Sequence, residues 1–377
     1  MSRPSPRKLS RTGWCVALSM SAVTGAACHD GPEVETFRQP VIVNTERPEA
    51  WAQFADNIRF VKTYEPRCAP PDSDAPRLLV TGFGRFGVHA DNASGRIVAA
   101  LLDELEYPSW SAPPETGVDP VADQLAVAQR TVTWPGVGAV ELCAMVLPVY
   151  WDVAAALVLA EAEAFAPDIT VMNGIAGSSQ PVWIEMGAIN RTSRRPDGSG
   201  VVRPFEAGPV VRGADLVAAN VGSWEQIRDA ATAAIRDETE RAGPSGRSLS
   251  RIAAGKAQLA GFPRSTNTYL CNNTTFAVNY AFDHPGQYFT LLEASHVPDD
   301  YDGRWPWWHD VTLNPDLRER ARFFLHWPSS LDHEVHFRAG AQVLRALLTA
   351  QLESREPPER GDNALAEVPA TDGGDHY

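Results

Sequence analysis

The chain is short of positive charge. Its 377 residues include 33 lysines and arginines against 47 aspartates and glutamates, which gives a net charge of −14. Four basic residues lie within the first 27 positions, where there is no acid, so the remaining chain carries −18. A surface this acidic argues against nucleic acids and anionic membrane surfaces as partners.

The sequence also lacks a long apolar run and any repeat of fixed period. The apolar stretch at residues 13–27 is too short and too rich in serine and glycine to span a bilayer as a stable helix. Because it follows a basic stretch and ends in small residues, we interpret residues 1–27 as a signal peptide for export to the periplasm or cell envelope. Residues 25–28 (GAAC) resemble a lipoprotein cleavage box, so Cys28 is either a lipidated membrane tether or part of a plain secretory start.

Cysteine is scarce, with five in the whole chain. Cys15 leaves with the signal and Cys28 is lipidated or terminal, so three remain for the folded domain. An oxidising compartment favours pairing two of them. We hypothesise that Cys68 pairs with Cys143 and that Cys271 keeps its thiol. Three unpaired thiols are the alternative.

Apolar runs, glycine turns and helical stretches alternate along the chain, a pattern typical of α/β folds. The pattern predicts strands at 77–81, 140–148, 169–173 and 289–295, and helices at 48–57, 95–106, 151–165 and 335–352. The catalytic domain is predicted at 77–352, with a helical insertion at about 223–260 and a linker at 28–76. Residues 353–377 are acidic and rich in proline and glycine, which predicts a disordered tail.

Residues 82–87 (GFGRFG) follow the first predicted strand and match the glycine pattern of dinucleotide-binding loops. Such a loop should open directly into its helix, so that the pyrophosphate meets the helix N-terminus. Here polar residues intervene before Asn92 or Ser94 caps the next helix. We therefore favour a loop that directs Phe83 and Phe86 into a pocket. Two ordinary core phenylalanines are the alternative.

A cysteine and a histidine carry the strongest chemical signal. Cys271 lies in the first turn of a predicted amphipathic helix, where the partial positive charge of the helix N-terminus favours a thiolate. His296 follows an apolar strand 25 positions later. The two predict a nucleophile–base pair.

Three other histidines cluster near the C-terminal end of the domain. His326, His333 and His336 suggest a metal site, but their spacing differs from the His-Glu-x-x-His pattern of zinc helices. We interpret them as polar residues at a helix start. The sequence predicts no metal and no cofactor.

Seven short motifs occur in an order that resembles pyroglutamyl peptidase I, the pyrrolidone-carboxylate peptidase family of cysteine peptidases. They are residues 80–87 (VTGFGRFG), 147–149 (LPV), 167–168 (PD), 174–177 (GIAG), 185–190 (EMGAIN), 268–272 (TYLCN) and 296–298 (HVP). The resemblance runs from about residue 77 to residue 352.

The resemblance implies a three-layer α/β/α sandwich with a mixed twisted sheet, in one domain. It implies that Glu185, Cys271 and His296 form a catalytic triad that removes an N-terminal pyroglutamyl residue from blocked peptides through a thioester. It places Phe83 and Phe86 on the two faces of the pyroglutamyl ring. Asn92 and Arg195 complete the expected substrate-binding residues.

The chain departs from the family in several places. Arg85 stands where the family has proline, and Ser178-Ser179 replaces a Gly-Arg pair. These changes leave two alternatives open, a Cys-His-Glu hydrolase of another acyl group and a retired scaffold that binds a ligand or partner. The tryptophan-rich residues 305–308 are either a lid or packing of an added loop, and a homo-oligomer is left open.

Overall fold

The structure is a computed structural model, and it describes residues 48–70, 73–86, 89–108, 120–177, 181–193, 195–198, 208–242, 255–262, 269–294, 299, 301–304 and 306–368. The described residues all fall in one compact unit, Gln39–Tyr377. The predicted signal peptide, the lipoprotein box and residues 28–47 and 71–72 of the predicted linker lie outside the described residues. None of the described helices is long and apolar enough to cross a membrane.

The described residues form thirteen strands, nine of them in one main sheet and four in two small two-stranded sheets. The strands are β1 (Arg77–Phe83), β2 (Ala126–Trp134), β3 (Gly138–Leu147), β4 (Ile169–Ala176), β5 (Val182–Glu185), β6 (Gly187–Ile189), β7 (Val217–Ala219), β8 (Val221–Gly222), β9 (Ala257–Ala260), β10 (Phe289–Leu291), β11 (His309–Val311), β12 (Ala321–Pro328) and β13 (Glu359–Arg360).

Helices fill most of the connections. They are α1 (Pro48–Thr63), α2 (Ala93–Ala99), α3 (Val121–Gln124), α4 (Val153–Phe165), α5 (Trp224–Ala242), α6 (Leu270–Asp283) and α7 (Glu334–Glu353), followed by a 3₁₀ turn at Asn363–Leu365. The helix predicted at 95–106 is wrong in length, because α2 ends at Ala99. The other three predicted helices are confirmed with shifted ends.

The sheet is mixed. Its strand order is β13-β8-β12-β4-β1-β3-β2, with β5 pairing β12 and β9. The four central strands β3, β1, β4 and β12 are parallel, whereas β2 and β5 run antiparallel to their neighbours β3 and β12. The parallel strands end on one side of the molecule, where α/β proteins bind their ligands.

Helices cover both faces of this sheet, which confirms the predicted three-layer α/β/α sandwich. One core lies between the sheet and α1, α4 and α6, and it takes Leu79 from β1. The other lies between the sheet and α2, α5 and α7, and it takes Leu78 and Val80. Successive residues of β1 enter opposite cores because side chains alternate across a strand.

The glycine pattern after β1 is explained by close packing. A Cβ at Gly82 would overlap the backbone of Ser94, and a Cβ at Gly95 would overlap the carbonyl of Phe83. Strand β1 and helix α2 can therefore touch only where both residues are glycine. Asn92 caps α2, as predicted, with its side-chain oxygen accepting from the backbone N–H of Ser94 at 3.1 Å.

The predicted disulfide is confirmed. Cys68 is bonded to Cys143 of β3, and their Cα atoms lie 6.0 Å apart. Glu161 of α4 lies beside the bridge and accepts the backbone N–H groups of Arg67 and Cys68, at 2.9 Å each. The bridge thus fastens the segment before β1 to the core.

Two sequence predictions about the later chain are wrong. The tail predicted to be disordered is ordered to residue 368, because β13 pairs β8 and Val368 forms a bridge with Ala260. The strand predicted at 289–295 is only the three-residue β10, and it pairs with β11 in a separate small sheet. Within the predicted insertion the structure describes α5 and β9, whereas residues 243–254 lie outside the described part.

Part of the tryptophan-rich segment packs on the protein. Trp307 contacts the core that contains α4 and α6, and its carbonyl accepts the backbone N–H of Ala294 at 2.9 Å. Trp308 packs edge-on against Trp307 and stays partly exposed. The packing interpretation accounts for these two residues, and Trp305 lies outside the described residues.

Candidate active site

The candidate nucleophile lies at the start of a long buried helix. Cys271 is the second residue of α6, its side chain is buried, and the residue is 7% exposed. Tyr269 is the N-cap residue of this helix and makes no side-chain cap. Its first backbone N–H groups and their partial positive charge therefore face the region of the sulfur.

Two asparagines fix the first turn of α6. The side-chain amide of Asn272 accepts from the backbone N–H of Ile189 at 2.8 Å and donates to the carbonyl of the same residue at 2.9 Å. Asn273 donates to the buried carboxylate of Asp152 at 3.0 Å. These bonds hold the cysteine in register with β6 and with the N-terminus of α4.

The histidine beside this thiol is His326. It lies in the fully buried strand β12, two residues after Phe324, so both side chains point to the face that α6 covers. The sulfur of Cys271 is a hydrogen-bond partner of the His326 ring.

The carboxylate of Glu185 completes the arrangement. Glu185 is the last residue of β5, which pairs antiparallel with β12, and it is 2% exposed. Its Oε1 lies 2.8 Å from Nδ1 of His326. Because Nδ1 faces the carboxylate, Nε2 is the nitrogen that faces the sulfur. Such a carboxylate fixes the tautomer and the orientation of the ring.

The charge state of His326 follows from these neighbours. Burial by itself lowers the pKa of the imidazole, but the carboxylate of Glu185 and the sulfur of Cys271 outweigh burial and raise that pKa to about 10. The imidazole is therefore held as a cation between two anion-forming groups. A buried cation beside a thiol favours the thiolate form that acts as a nucleophile.

A glycine makes room for the sulfur. Gly174 of β4 lies opposite His326 in the register of the sheet. A Cβ at this position would lie 2.7 Å from Sγ of Cys271 and 2.8 Å from the ring of Phe324. The sulfur can approach the sheet here because position 174 carries no side chain.

An aromatic cleft opens beside the cysteine. Phe83, Phe86 and Asn92, all predicted to bind substrate, line it together with Cys271. Val149, Ile175, Tyr269 and Leu270 complete the lining. The structure thus brings three of the four predicted binding residues to the thiol, in a predominantly apolar site.

The fourth predicted residue, Arg195, lies nearby. Its backbone carbonyl accepts the indole N–H of Trp151 at 3.0 Å, and the next carbonyl, that of Pro196, accepts the hydroxyl of Tyr269 at 2.7 Å. Burial raises the pKa of the Tyr269 phenol, with Asp197 and Cys271 adding to the effect, so Tyr269 remains a hydroxyl donor. Arg195 is exposed at the edge of the site and is not among the described residues that line the cleft.

The structure assigns the histidines positions that differ in part from those the sequence predicts. His296 lies outside the described residues, so its predicted role as base stays a prediction. The interpretation of His326 as a polar residue at a helix start is wrong, because it lies in a central strand next to Glu185. His333 and His336 do lie at the start of α7, as predicted.

A signal for His326 was present in the sequence. Residues 321–325 (ARFFL) form an apolar run that ends in His326-Trp327-Pro328, and residues 289–295 similarly precede His296-Val297-Pro298. Both are apolar runs that end in His-x-Pro. The motif alone does not distinguish them, since the deciding feature is which run pairs with β4 and β5.

One group of metal-ligating side chains is close enough in the described part of the chain to suggest an ion. It consists of Cys68, Cys143 and Glu161, all of them buried. The two sulfurs are joined in the disulfide, and the Glu161 carboxylate already accepts two backbone N–H groups. We therefore interpret this group as the disulfide together with the carboxylate that binds the backbone beside it.

Comparison with known proteins finds similar solved structures only. No protein-family model and no curated protein matches the sequence. The structure is similar to pyroglutamyl peptidase I from Bacillus amyloliquefaciens, with 15% identity, coverage of 74% of this chain and 98% of that chain, and a TM-score of 0.43. It is also similar to pyrrolidone carboxyl peptidase from Thermococcus litoralis, with 16% identity, coverage of 74% and 94%, and a TM-score of 0.44. A mutant pyrrolidone carboxyl peptidase from Pyrococcus furiosus shows 17% identity, coverage of 74% and 98%, and a TM-score of 0.42.

Proposed function

We propose that this chain is a cysteine peptidase that removes an N-terminal pyroglutamyl residue from peptides, with Cys271 as nucleophile, His326 as base and Glu185 as the group that orients the base. The observation that carries the proposal is the buried His326 imidazole, bonded to Glu185 on one side and to the Cys271 sulfur on the other. The sequence motifs that surround Cys271 and Glu185 support the substrate class.

The reaction proceeds by acyl transfer to sulfur. The thiolate of Cys271 attacks the carbonyl carbon of the pyroglutamyl residue, and the His326 imidazolium gives its proton to the leaving amine. The C–N bond breaks and a thioester remains. A water molecule then attacks the thioester while His326 takes its proton. The C–S bond breaks, 5-oxoproline is released, and the Cys271 thiolate is restored beside the protonated His326.

The start of α6 is suited to the charge that develops in the transition state. The carbonyl oxygen becomes negative when sulfur attacks, and backbone N–H groups at a helix N-terminus are fixed donors for such an oxyanion. The helix has no side-chain cap at this end. We assign these N–H groups to the oxyanion, with Arg195 at the outer edge of the site.

The aromatic cleft suits a neutral lactam ring. Phe83 and Phe86 offer two apolar faces beside Cys271. Asn92 supplies a side-chain amide to the lining, and its Oδ1 accepts from the hydroxyl of Ser94 at 2.8 Å. Its amide nitrogen is the donor that we assign to the lactam carbonyl.

The proposal is tested with a pyroglutamyl-aminocoumarin substrate under reducing conditions. The purified domain should release the fluorophore, and Cys271→Ala should abolish release while keeping the wild-type circular dichroism spectrum. Absence of turnover in a folded wild-type protein would refute the substrate. Iodoacetamide sensitivity of Cys271 without that turnover points to a hydrolase of another acyl group, and an unreactive thiol points to a retired scaffold.

We also propose that the chain is exported, with Cys28 as a candidate lipid attachment site. The proposal rests on the sequence of residues 1–28, and the Cys68–Cys143 disulfide is in keeping with an oxidising compartment. Fractionation of cells that express the full chain tests it. Recovery of the protein with residues 1–27 still attached, in the cytoplasmic fraction, would contradict it.

A further inference from the structure

The chain continues beyond α7 and returns to the sheet. We refer to residues 359–368 as the C-terminal segment. It begins with β13, which pairs Arg360 with Val221 of β8, and ends at Val368, which pairs with Ala260 of β9. Strand β9 is the outer neighbour of β5, where Ala260 pairs with Glu185. The segment therefore closes over the strands that carry the acidic member of the site.

The middle of the C-terminal segment lies on the peptide that follows Glu185. The backbone N–H of Gly361 donates to the carbonyl of Asn220 at 2.8 Å. A Cβ at Gly361 would overlap the carbonyl oxygen of Met186, the residue after Glu185. Only glycine fits at this position, because the two backbones are in direct contact.

Asn220 joins the C-terminal segment to Glu185. Its backbone N–H donates to the carbonyl of Met186 at 3.0 Å, and its side-chain amide donates to the carbonyl of Glu185 at 2.7 Å. Its side-chain oxygen accepts from Asn279 at 2.9 Å. Asn220 is fully buried, so these bonds hold the end of β5 in one place.

A charge cluster around Asp283 of α6 connects the same segment to β12. Asp283 pairs with Arg360 of the C-terminal segment, with nitrogen–oxygen distances of 2.7 and 3.0 Å, and also with Arg322 of β12. The Arg322 side chain is fully buried and donates to Asn279 at 3.1 Å. The segment is thus linked through Asp283 to Arg322, which lies on the strand of His326, four positions before it.

We propose that the C-terminal segment is a positioning element of the active site, which holds the Glu185–Met186 peptide so that the Glu185 carboxylate stays on Nδ1 of His326. Its catalytic meaning rests on the function proposed above. Glu185 ends a strand of only four residues, and the Met186 backbone beyond it is held by its N–H bond to the carbonyl of Ala260 at 2.9 Å, by Asn220 and by the contact with Gly361. Small displacements of an orienting group lower the rate strongly.

The test compares Gly361→Ala with Leu365→Ala. Leu365 belongs to the same segment, but its side chain is 44% exposed. The readout is the rate at which iodoacetamide alkylates Cys271, followed by peptide mass spectrometry from pH 5 to pH 10 and well below the unfolding midpoint. Gly361→Ala should slow alkylation at pH 7 by about tenfold and move the rise in rate to higher pH. Leu365→Ala should match wild type.

Arg360→Ala provides a second variant in case Gly361→Ala does not fold. The Arg360 side chain is half exposed, so its loss is compatible with folding, and it removes the bond from the C-terminal segment to Asp283. We expect a smaller slowing of alkylation, about threefold, in the same direction. A segment with a merely structural role would lower the melting temperature and leave the pH profile of the folded protein unchanged, which would overturn the proposal.

The outcomes separate the two proposals. A changed alkylation profile in Gly361→Ala, together with no cleavage of the pyroglutamyl substrate by wild type, refutes the substrate and keeps the positioning role. Cleavage by wild type, together with identical alkylation profiles in Gly361→Ala, Arg360→Ala and wild type, refutes the positioning role and keeps the proposed function.

Discussion

His326 is buried between a carboxylate and a sulfur, and its charge affects both the chemistry and the stability of the fold. An imidazole in an apolar interior would be neutral, because burial disfavours the cation. Glu185 at 2.8 Å and the sulfur of Cys271 reverse that preference. The same two contacts that raise the pKa are those that a general base needs for orientation and for proton transfer.

This environment predicts a pH dependence of stability. The pKa of His326 in the folded protein lies above its ordinary value of 6.5, so protonation stabilises the fold fully below that pH, and the stabilisation is lost as pH rises from 6.5 towards 10. The free energy of unfolding of wild type minus that of His326→Asn should therefore decrease across this window in urea titrations. A difference that stays constant or grows would contradict the assigned charge.

Individual residues differ in how far the sequence alone predicts them. Cys271 and Glu185 stand in motifs with distinctive neighbours, and Phe83 and Phe86 stand in a glycine loop, so the sequence predicts all four as site residues. His326 stands in an apolar run whose partner strands are β4 and β5. Strand pairing at such separation depends on tertiary packing that a local pattern does not contain.

At the scale of elements, strand β4 and helix α6 approach each other closely next to the thiol. Gly174 has no Cβ, and the sulfur of Cys271 and the ring of Phe324 occupy the space that a side chain would need. Cores do not yield easily to an added methyl group. The helix start and the strand are therefore fixed relative to each other by this contact.

Gly174→Ala should displace the sulfur from His326. We expect alkylation of Cys271 at neutral pH, and any turnover, to fall by about 100-fold, with a loss of about 1–3 kcal/mol in the free energy of unfolding. Gly222→Ala is the matched control, because Gly222 lies in β8 of the same sheet and a Cβ there would be 3.4 Å or more from its neighbours. Equal reactivity of both variants and wild type would show that the contact does not position the sulfur.

The C-terminal segment shows the same dependence on tertiary partners. It belongs to residues 353–377, whose acidic, proline- and glycine-containing composition is that of disordered chains, and the sequence therefore predicts disorder there. The order up to residue 368 comes from strand pairing with β8 and β9 and from the Asp283 ion pairs. None of these partners is local in sequence.

At the scale of the whole molecule, the α/β/α architecture follows from the alternation of buried strands and helices, and the sequence predicts it. The disulfide joins the segment before β1 to the middle of β3, and its cysteines are 75 positions apart in the sequence. Leu147 is the last residue of β3 and lies at the end of the strand nearest the site. Cys143 precedes it by four residues, which places the disulfide about 13 Å from that end. The bridge contributes to the fold at a distance from the chemistry.

Removal of the Cys68–Cys143 disulfide should therefore lower the stability of the fold without changing the reactivity of Cys271. In the chain-entropy account, a closed loop of this length stabilises the fold by about 4 kcal/mol. The double variant Cys68→Ala, Cys143→Ala should lose about this amount in denaturant unfolding, while alkylation of Cys271 in the folded protein keeps its wild-type rate and pH profile. A large change in the alkylation profile would show that the bridge also shapes the site.

The measurement that tests the central claim most directly is the pH profile of Cys271 alkylation in wild type, His326→Asn and His296→Asn. If the thiol, the His326 imidazole and the Glu185 carboxylate act as one relay, His326→Asn slows alkylation at neutral pH by about 10- to 100-fold, whereas His296→Asn leaves the profile of wild type unchanged. A wild-type profile in His326→Asn, with the loss of reactivity appearing in His296→Asn instead, would contradict the account.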